Sequence, residues 1–215
     1  MRARTNWVPS QAEPTVTLLL RHGQTPMSVQ KRYAGLSDVP LTGTGVDQAA
    51  AAAKRLASAS IGAIVSSPLR RAVRTAEEVV AVTGVPMVTD EGFRETDFGA
   101  WDGLTFAEVR ERWPAEMASW LANPAVAPPG GESFADVSMR VTEALQRVLT
   151  SHARQNVLIV SHVTPIKTLV AAALLAPPAA LYRMHLDLAA LCEIDWYADG
   201  PAVLRSFNDT AHLHQ

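Results

Sequence analysis

The chain has one cysteine, Cys192, in 215 residues. It cannot form an internal disulfide, and a lone thiolate cannot build a metal cluster. Cys192 closes the apolar run Leu188-Ala-Ala-Leu-Cys192, which reads as a buried, inert thiol. A dominant charge is also lacking. The net charge is −2, so no global field draws nucleic acid or an anionic membrane, and any positive charge for a phosphate must be local. No apolar run approaches the roughly 20 residues that span a bilayer. The first fourteen residues have no apolar signal-peptide core. A reducing, cytoplasmic setting without membrane or nucleic-acid partners is the expectation.

What is present suits one globular domain. Hydrophobic residues make up 48% of the chain, enough for a sizeable core. Residues 1–14 read as a tail or linker remnant and residues 15–215 as the domain. Thr15–Leu20, Ile61–Ser66, Val85–Val88, Val157–Ser161, Leu188–Trp196 and Ala202–Phe207 read as strands. Between them lie helical stretches. One runs from a Thr42 N-cap to Ala59, and one from Pro68 to Thr83, ended by Gly84. Leu104–Leu121 is helical with an interruption at Pro114, Ser133 opens a helix to Ala153, and Thr164-Pro165 opens one to Leu175. Residues 123–131, rich in proline and glycine, read as a loop with the composition of a lid. Strands alternating with helices imply an α/β domain with a mostly parallel sheet and helices on both faces. Ligands in such sheets bind beyond the carboxyl ends of the strands.

Chemistry-bearing residues fall at those ends. The first strand stops at Arg21-His22-Gly23. The second stops at Ser66-Ser67, with Arg70 and Arg71 in the helix that follows. The fourth stops at Ser161-His162. Guanidinium groups fit the non-bridging oxygens of a phosphoryl group, and helix N-termini add backbone donors. A neutral imidazole can attack phosphorus if an acceptor, such as a carbonyl near Gly23, holds its other nitrogen. A general acid is also needed, and the loop over residues 92–99 offers Glu95 and Asp97. No third ligand accompanies the two histidines at metal-binding spacing, and arginines repel a cation, so no metal is expected. Arg74 and Lys167 read as surface residues. His185 reads either as pocket lining or as part of a turn. His212 and His214 are expected to be exposed in a C-terminal tail.

With these residues in place, the chain resembles the histidine phosphatase (phosphoglycerate mutase-like) superfamily over nearly all of residues 15–210. The likeness rests on Leu18-Leu-Leu-Arg-His-Gly-Gln-Thr25, Pro40-Leu-Thr-Gly-Thr-Gly45, Ser66-Ser-Pro-Leu-Arg-Arg-Ala-Val-Arg-Thr-Ala76, Glu95-Thr-Asp-Phe-Gly-Ala-Trp-Asp-Gly103, Gly130-Gly-Glu-Ser133 and Val160-Ser-His162. It implies a three-layer α/β/α sandwich. It also implies His22 as phosphorylated nucleophile, Arg21, Arg71 and His162 as the phosphate pocket, and Glu95 as proton donor. No cofactor is implied. Within the superfamily the chain is similar to the α-ribazole phosphatases, above all to the phosphatase half of the actinobacterial bifunctional ribonuclease H/α-ribazole phosphatase. That likeness implies hydrolysis of a small-molecule phosphomonoester, with α-ribazole 5′-phosphate as the candidate and inorganic phosphate as product. It leaves open whether the chain belongs to a larger fusion, and whether it forms a homodimer.

Two departures bear on the pocket. Ser28 stands where many members of the family have asparagine, and its hydroxyl has a shorter reach to phosphate. Val163-Thr164 replaces the usual Gly-Gly after the second histidine, and Thr164 either adds a hydroxyl to the pocket or caps its helix. Transfer of the phosphoglycerate mutase type and action on other sugar phosphates are the alternative activities. Residues 96–131 carry no evident basic cluster for a phosphoglycerate carboxylate, and Arg110 and Arg112 read as helix surface. A non-catalytic phosphate-binding relative would lack the nucleophile or the acid, and both are present.

Overall fold

The structure is a computed structural model and describes residues 12–214; of the tail expected over residues 1–14, residues 1–11 lie outside the described part. Strands β1 (Thr15–Arg21), β2 (Ile61–Ser66), β3 (Met87–Thr89), β4 (Asn156–Ser161), β5 (Leu191–Trp196) and β6 (Ala202–Asp209) form one sheet. Their order is β3-β2-β4-β1-β5-β6. The first four strands pair in parallel, and β5 and β6 add an antiparallel edge. The helices are α1 (Pro26–Val29), α2 (Gly43–Leu56), α3 (Arg70–Thr83), α4 (Phe106–Arg112), α5 (Pro114–Ala122), α6 (Phe134–Ser151) and α7 (Val163–Ala173).

The layering follows from the strand pleat. Val157 and Ile159 of β4 pack against α6 and α7, while Leu158 and Val160 pack against α2 and α3. All four are fully buried. A strand covered on both faces therefore reads as an unbroken apolar run. Burying these four side chains contributes about 6–12 kcal/mol, at about 1.5–3 kcal/mol each. On the α2–α3 face Ala49, Ala52, Ala53, Ala72 and Ala76 are buried, and their small side chains let the two helices approach closely. A third apolar cluster, including Phe98, Trp101, Trp120, Phe134 and Leu181, lies apart from the sheet layers. Among the described residues, no helix is long and apolar enough to cross a membrane.

Several boundaries differ from expectation for local reasons. β3 starts after Pro86, which has no N–H to give to a neighbouring strand. α3 starts at Arg70 rather than Pro68, and its Arg70 N–H is capped from outside by the Asp38 carboxylate at 3.1 Å. α2 ends at Leu56, three residues early. β5 begins at Leu191 because Ala189 turns the chain with φ of 54°. Residues 123–131 do not form a free lid: the Pro129 carbonyl accepts from the Ala100 N–H at 2.9 Å, and the Glu132 N–H that follows donates to the Asp97 carbonyl at 2.9 Å. The C-terminal segment folds back as a 3₁₀ turn, Ala211–His214. His212 is buried there with Nε2 3.0 Å from the Ala189 carbonyl, which corrects its expected exposure, while His214 is exposed. Cys192 is buried as expected, and burial pushes its thiol up to about 11.

Candidate active site

Strand register places the site. Arg21 pairs with Ser161 across the parallel β1–β4 ladder, and the His22 N–H donates to the Ser161 carbonyl at 3.0 Å. Each strand then runs on into a histidine, so His22 and His162 emerge together with ring centroids 5.1 Å apart. From β2, the Ser67 N–H donates to the Val160 carbonyl at 2.9 Å, which puts Ser67 in the same row.

His22 is 5% exposed, and its Nδ1 lies 2.8 Å from the Gly23 carbonyl. A carbonyl only accepts, so the ring proton sits on Nδ1 and Nε2 keeps its lone pair. Among the described residues Nε2 has no hydrogen-bond partner. Burial, then the charges of Arg71 and Arg21, hold this imidazole well below its usual pKa of 6.5, so it is neutral at neutral pH. The segment after it is locked in place: a Cβ on Gly23 would meet the Gly45 carbonyl oxygen at 2.3 Å, and one on Gly45 would meet the Gln24 carbonyl oxygen at 2.1 Å. Only glycine at both positions lets this segment lie against the first turn of α2.

His162 is fully buried with Nε2 2.7 Å from the Ser67 hydroxyl. The Leu69 N–H donates to the same hydroxyl oxygen at 3.3 Å, so Ser67 ties His162 to the start of α3. Burial and then Arg71 keep His162 neutral too, with its pKa well below 6.5.

The two arginines are held from opposite sides. Arg71 is fully buried, and its guanidinium donates to the carbonyls of Ala34, Gly35 and Ser37 at 2.8–2.9 Å. Arg70 beside it is exposed, so burial separates the pair. Arg21 donates through Nη1 to the Leu186 carbonyl at 2.6 Å, and burial lowers its pKa to about 10, which leaves it cationic. Three buried nitrogens in this cluster have no partner: Arg21 Nε, Arg71 Nε and His162 Nδ1. An orphaned buried polar group costs about 1–3 kcal/mol. Three of them at one strand edge, two on cations, mark a place suited to an anion with several oxygens.

Glu95 reaches the cluster from the loop after β3. It is 6% exposed, and its Oε1 accepts from the Thr96 N–H at 2.8 Å and the Thr164 N–H at 3.3 Å. Its Oε2 has no partner among the described residues. Asp97, the other candidate acid, spends its carboxylate on the Gly99 N–H at 2.9 Å and is a turn residue.

Two expected contributors serve other purposes. The Ser28 hydroxyl accepts from the Thr25 N–H at 2.9 Å and donates to the Thr25 carbonyl at 2.7 Å, closing the capping box of α1. Thr164 is not the cap of α7; that position is His162, which is extended, and Thr164 instead offers its backbone N–H to Glu95. Lys167 is not a surface lysine: it is half-buried and donates to the Leu181 carbonyl at 3.4 Å. Arg74 is paired with Glu77 and Glu78 on the helix surface, as expected.

Two side chains without an assigned role in the sequence help build the site. Ser67 is one; its motif was visible, but the bond to a residue 95 positions away was not. Arg140 of α6 is the other. It donates to the carbonyls of Gly92, Arg94 and Glu95 at 2.8–2.9 Å and pairs with Glu132, which in turn accepts from the Asp97 N–H at 3.0 Å. One guanidinium thus holds the loop that carries Glu95.

Residues 17–210 match the model of the Histidine phosphatase superfamily (branch 1). Bifunctional protein Rv2228c of Mycobacterium tuberculosis (strain ATCC 25618 / H37Rv) is 47% identical over 208 residues, covering 96% of this chain and 57% of its own length. The chain therefore spans little more than half of that relative. Mycobacterial glucosyl-3-phosphoglycerate phosphatase, solved with inorganic phosphate, superimposes with a TM-score of 0.82 at 32% identity, covering 92% of this chain and 99% of that one. The α-ribazole phosphatase of Shigella flexneri gives 0.83 at 28% identity, covering 91% and 96%. This likeness bears out the phosphoglycerate mutase-like α/β sandwich expected from the motifs.

Proposed function

Because the chain belongs to the histidine phosphatase superfamily, branch 1, we propose that it hydrolyses phosphomonoesters through a phosphohistidine at His22. The observation that carries this reading is the bond from Nδ1 to the Gly23 carbonyl, which frees the Nε2 lone pair of a neutral imidazole between two arginines. His22 Nε2 attacks phosphorus as the bond to the alcohol oxygen breaks. Glu95, protonated on Oε2, gives its proton to that oxygen. Water then attacks the phosphohistidine, Glu95 takes back a proton, and inorganic phosphate leaves with His22 restored. Arg21, Arg71 and His162 hold the transferred group, so most of the rate comes from positioning and fixed charge. The scheme needs no metal or organic cofactor. Thr164 acts at one remove, through Glu95, and Ser28 fixes the start of α1 after the His22 segment.

The substrate is a small-molecule phosphomonoester. Likeness to α-ribazole phosphatases keeps α-ribazole 5′-phosphate in the panel; likeness to a glucosyl-3-phosphoglycerate phosphatase adds esters of acidic alcohols. The test is incubation with ³²P-labelled phosphomonoesters in the presence of a chelator. The expected result is an acid-labile, base-stable protein adduct and release of phosphate. His22→Ala is expected to lose both, and full turnover by that variant refutes the mechanism. Running 3-phosphoglycerate with a bisphosphoglycerate primer separates a mutase, which would yield the isomer instead of free phosphate.

A further inference from the structure

A cavity of about 630 Å³ opens beside Arg21. Its volume falls within the range of about 300–1,000 Å³ typical of small-ligand sites. Arg21, Lys31, Arg32, His185 and His214 line it against a single carboxylate, Asp187. In a chain of net charge −2, that is a marked local excess of cation-capable groups. The partners of these groups sharpen the picture. Arg32 is neutralised by Glu108 at 2.9 Å. Asp187 accepts from Asn208 at 2.8 Å and His185 at 2.9 Å. The Lys31 ammonium has no hydrogen bond or ion pair among the described residues. Lys31 also holds a left-handed backbone, φ 54°, just past the end of α1, a conformation costly for a residue with a Cβ.

Arg21 joins the cavity to the strand-end cluster, for it lines the one and precedes His22 in the other. A phosphoryl group held by Arg21 would thus have the alcohol beyond its ester oxygen within reach of the cavity that Arg21 lines. We propose that this cavity receives the alcohol portion of the substrate, and that Lys31 selects esters whose alcohol carries a second anionic group. The inference rests on the phosphomonoesterase reading above. It favours acidic alcohols over a neutral nucleoside such as α-ribazole.

The test uses the full chain and matched esters that differ in one anion. The carboxylate arm compares 3-phosphoglycerate with glycerol 3-phosphate. The phosphate arm compares fructose 1,6-bisphosphate with fructose 6-phosphate. The expected wild-type result is a preference in kcat/KM for the more anionic member of at least one pair. Lys31→Gln should erase about tenfold of that preference through KM, the order of one charged hydrogen bond, and Lys31→Arg should keep most of it. Phenyl phosphate, which has no second anion, should change less than about twofold in either variant. A wild type with no preference in both arms overturns the inference, as does a preference that survives Lys31→Gln. If the wild type hydrolyses phenyl phosphate but shows neither effect, the cavity assignment fails alone. If it hydrolyses none of the esters, the phosphatase reading fails and takes the inference with it.

Discussion

Replacing Arg140 with methionine keeps an unbranched, shorter stem and removes the charge and all the N–H donors. Arg140 is 16% exposed and its partner Glu132 14%, so the pair is largely out of water. The change strands a carboxylate in that setting and takes a donor from each of the Gly92, Arg94 and Glu95 carbonyls. Breaking a buried pair from one side costs about 3–5 kcal/mol. For a domain of this size that lowers Tm by about 6–20 °C, at roughly 2–4 °C per kcal/mol. Activity should change selectively. Without Arg140 the Glu95 carbonyl loses its anchor, and the carboxylate keeps the Thr96 N–H, a long contact from the Thr96 hydroxyl at 3.4 Å and the Thr164 N–H at 3.3 Å. A misplaced acid penalises alcohols that leave poorly. We expect kcat/KM for an alkyl phosphate to fall about 100-fold, the lower end for a general acid. The value for p-nitrophenyl phosphate, whose phenolate departs without a proton, should fall less than about threefold. Glu95→Gln should reproduce the split, which ties it to the acid. Adding Glu132→Gln to Arg140→Met should recover part of the stability without restoring alkyl esters. Equal losses on both esters, or none on either in a folded variant, would refute the positioning role.

Two further outcomes follow from the same buried cluster. His22 and His162 resist protonation in the fold because of burial and then Arg71, whereas the unfolded chain protonates both near 6.5. The unfolded state therefore binds more protons below that pH, so stability is complete above about 6.5 and falls as pH drops, by up to about 2.7 kcal/mol per pH unit for two histidines. Urea unfolding in phosphate-free buffer from pH 7.5 to 5.5 reads the slope; a flat profile would mean that the imidazoles take up protons in the folded protein as readily as in the unfolded chain. Gly23→Ala drives a Cβ to 2.3 Å from the Gly45 carbonyl oxygen, backbone against backbone, with no side chain free to yield. We expect a loss of about 3 kcal/mol, the upper end for overpacking, in chemical denaturation; a loss below about 0.5 kcal/mol would show that the loop after His22 is not clamped there.

What could be read from the chain, and what could not, divides by range of interaction. Val157–Val160 announces a doubly covered strand because every side chain in it is apolar, and the pleat needs no other information. Arg21-His22 and Ser161-His162 are legible for the same local reason: an apolar run ends in polar chemistry, and the rule for parallel sheets puts both ends on one edge. The residues that hold these groups carry no such mark. Arg140 sits in Ser138-Met-Arg-Val-Thr142, a stretch that looks like an ordinary solvated helix face, yet its guanidinium reaches a loop 45–48 positions earlier. His212 looks like part of a frayed end, yet it bonds the Ala189 carbonyl, and the Ala189 N–H donates to the His22 carbonyl at 3.2 Å. Thr164 shows the opposite error. Its side chain invited the reading of a cap, but the strand runs one residue further in extended form to place His162, so the cap moves back and the Thr164 backbone, not its hydroxyl, meets Glu95. Groups that do the chemistry must sit where strands end, and strand ends are written locally. Groups that position them need only the right distance in space, and any polar residue on any helix can meet that condition once the sheet has closed.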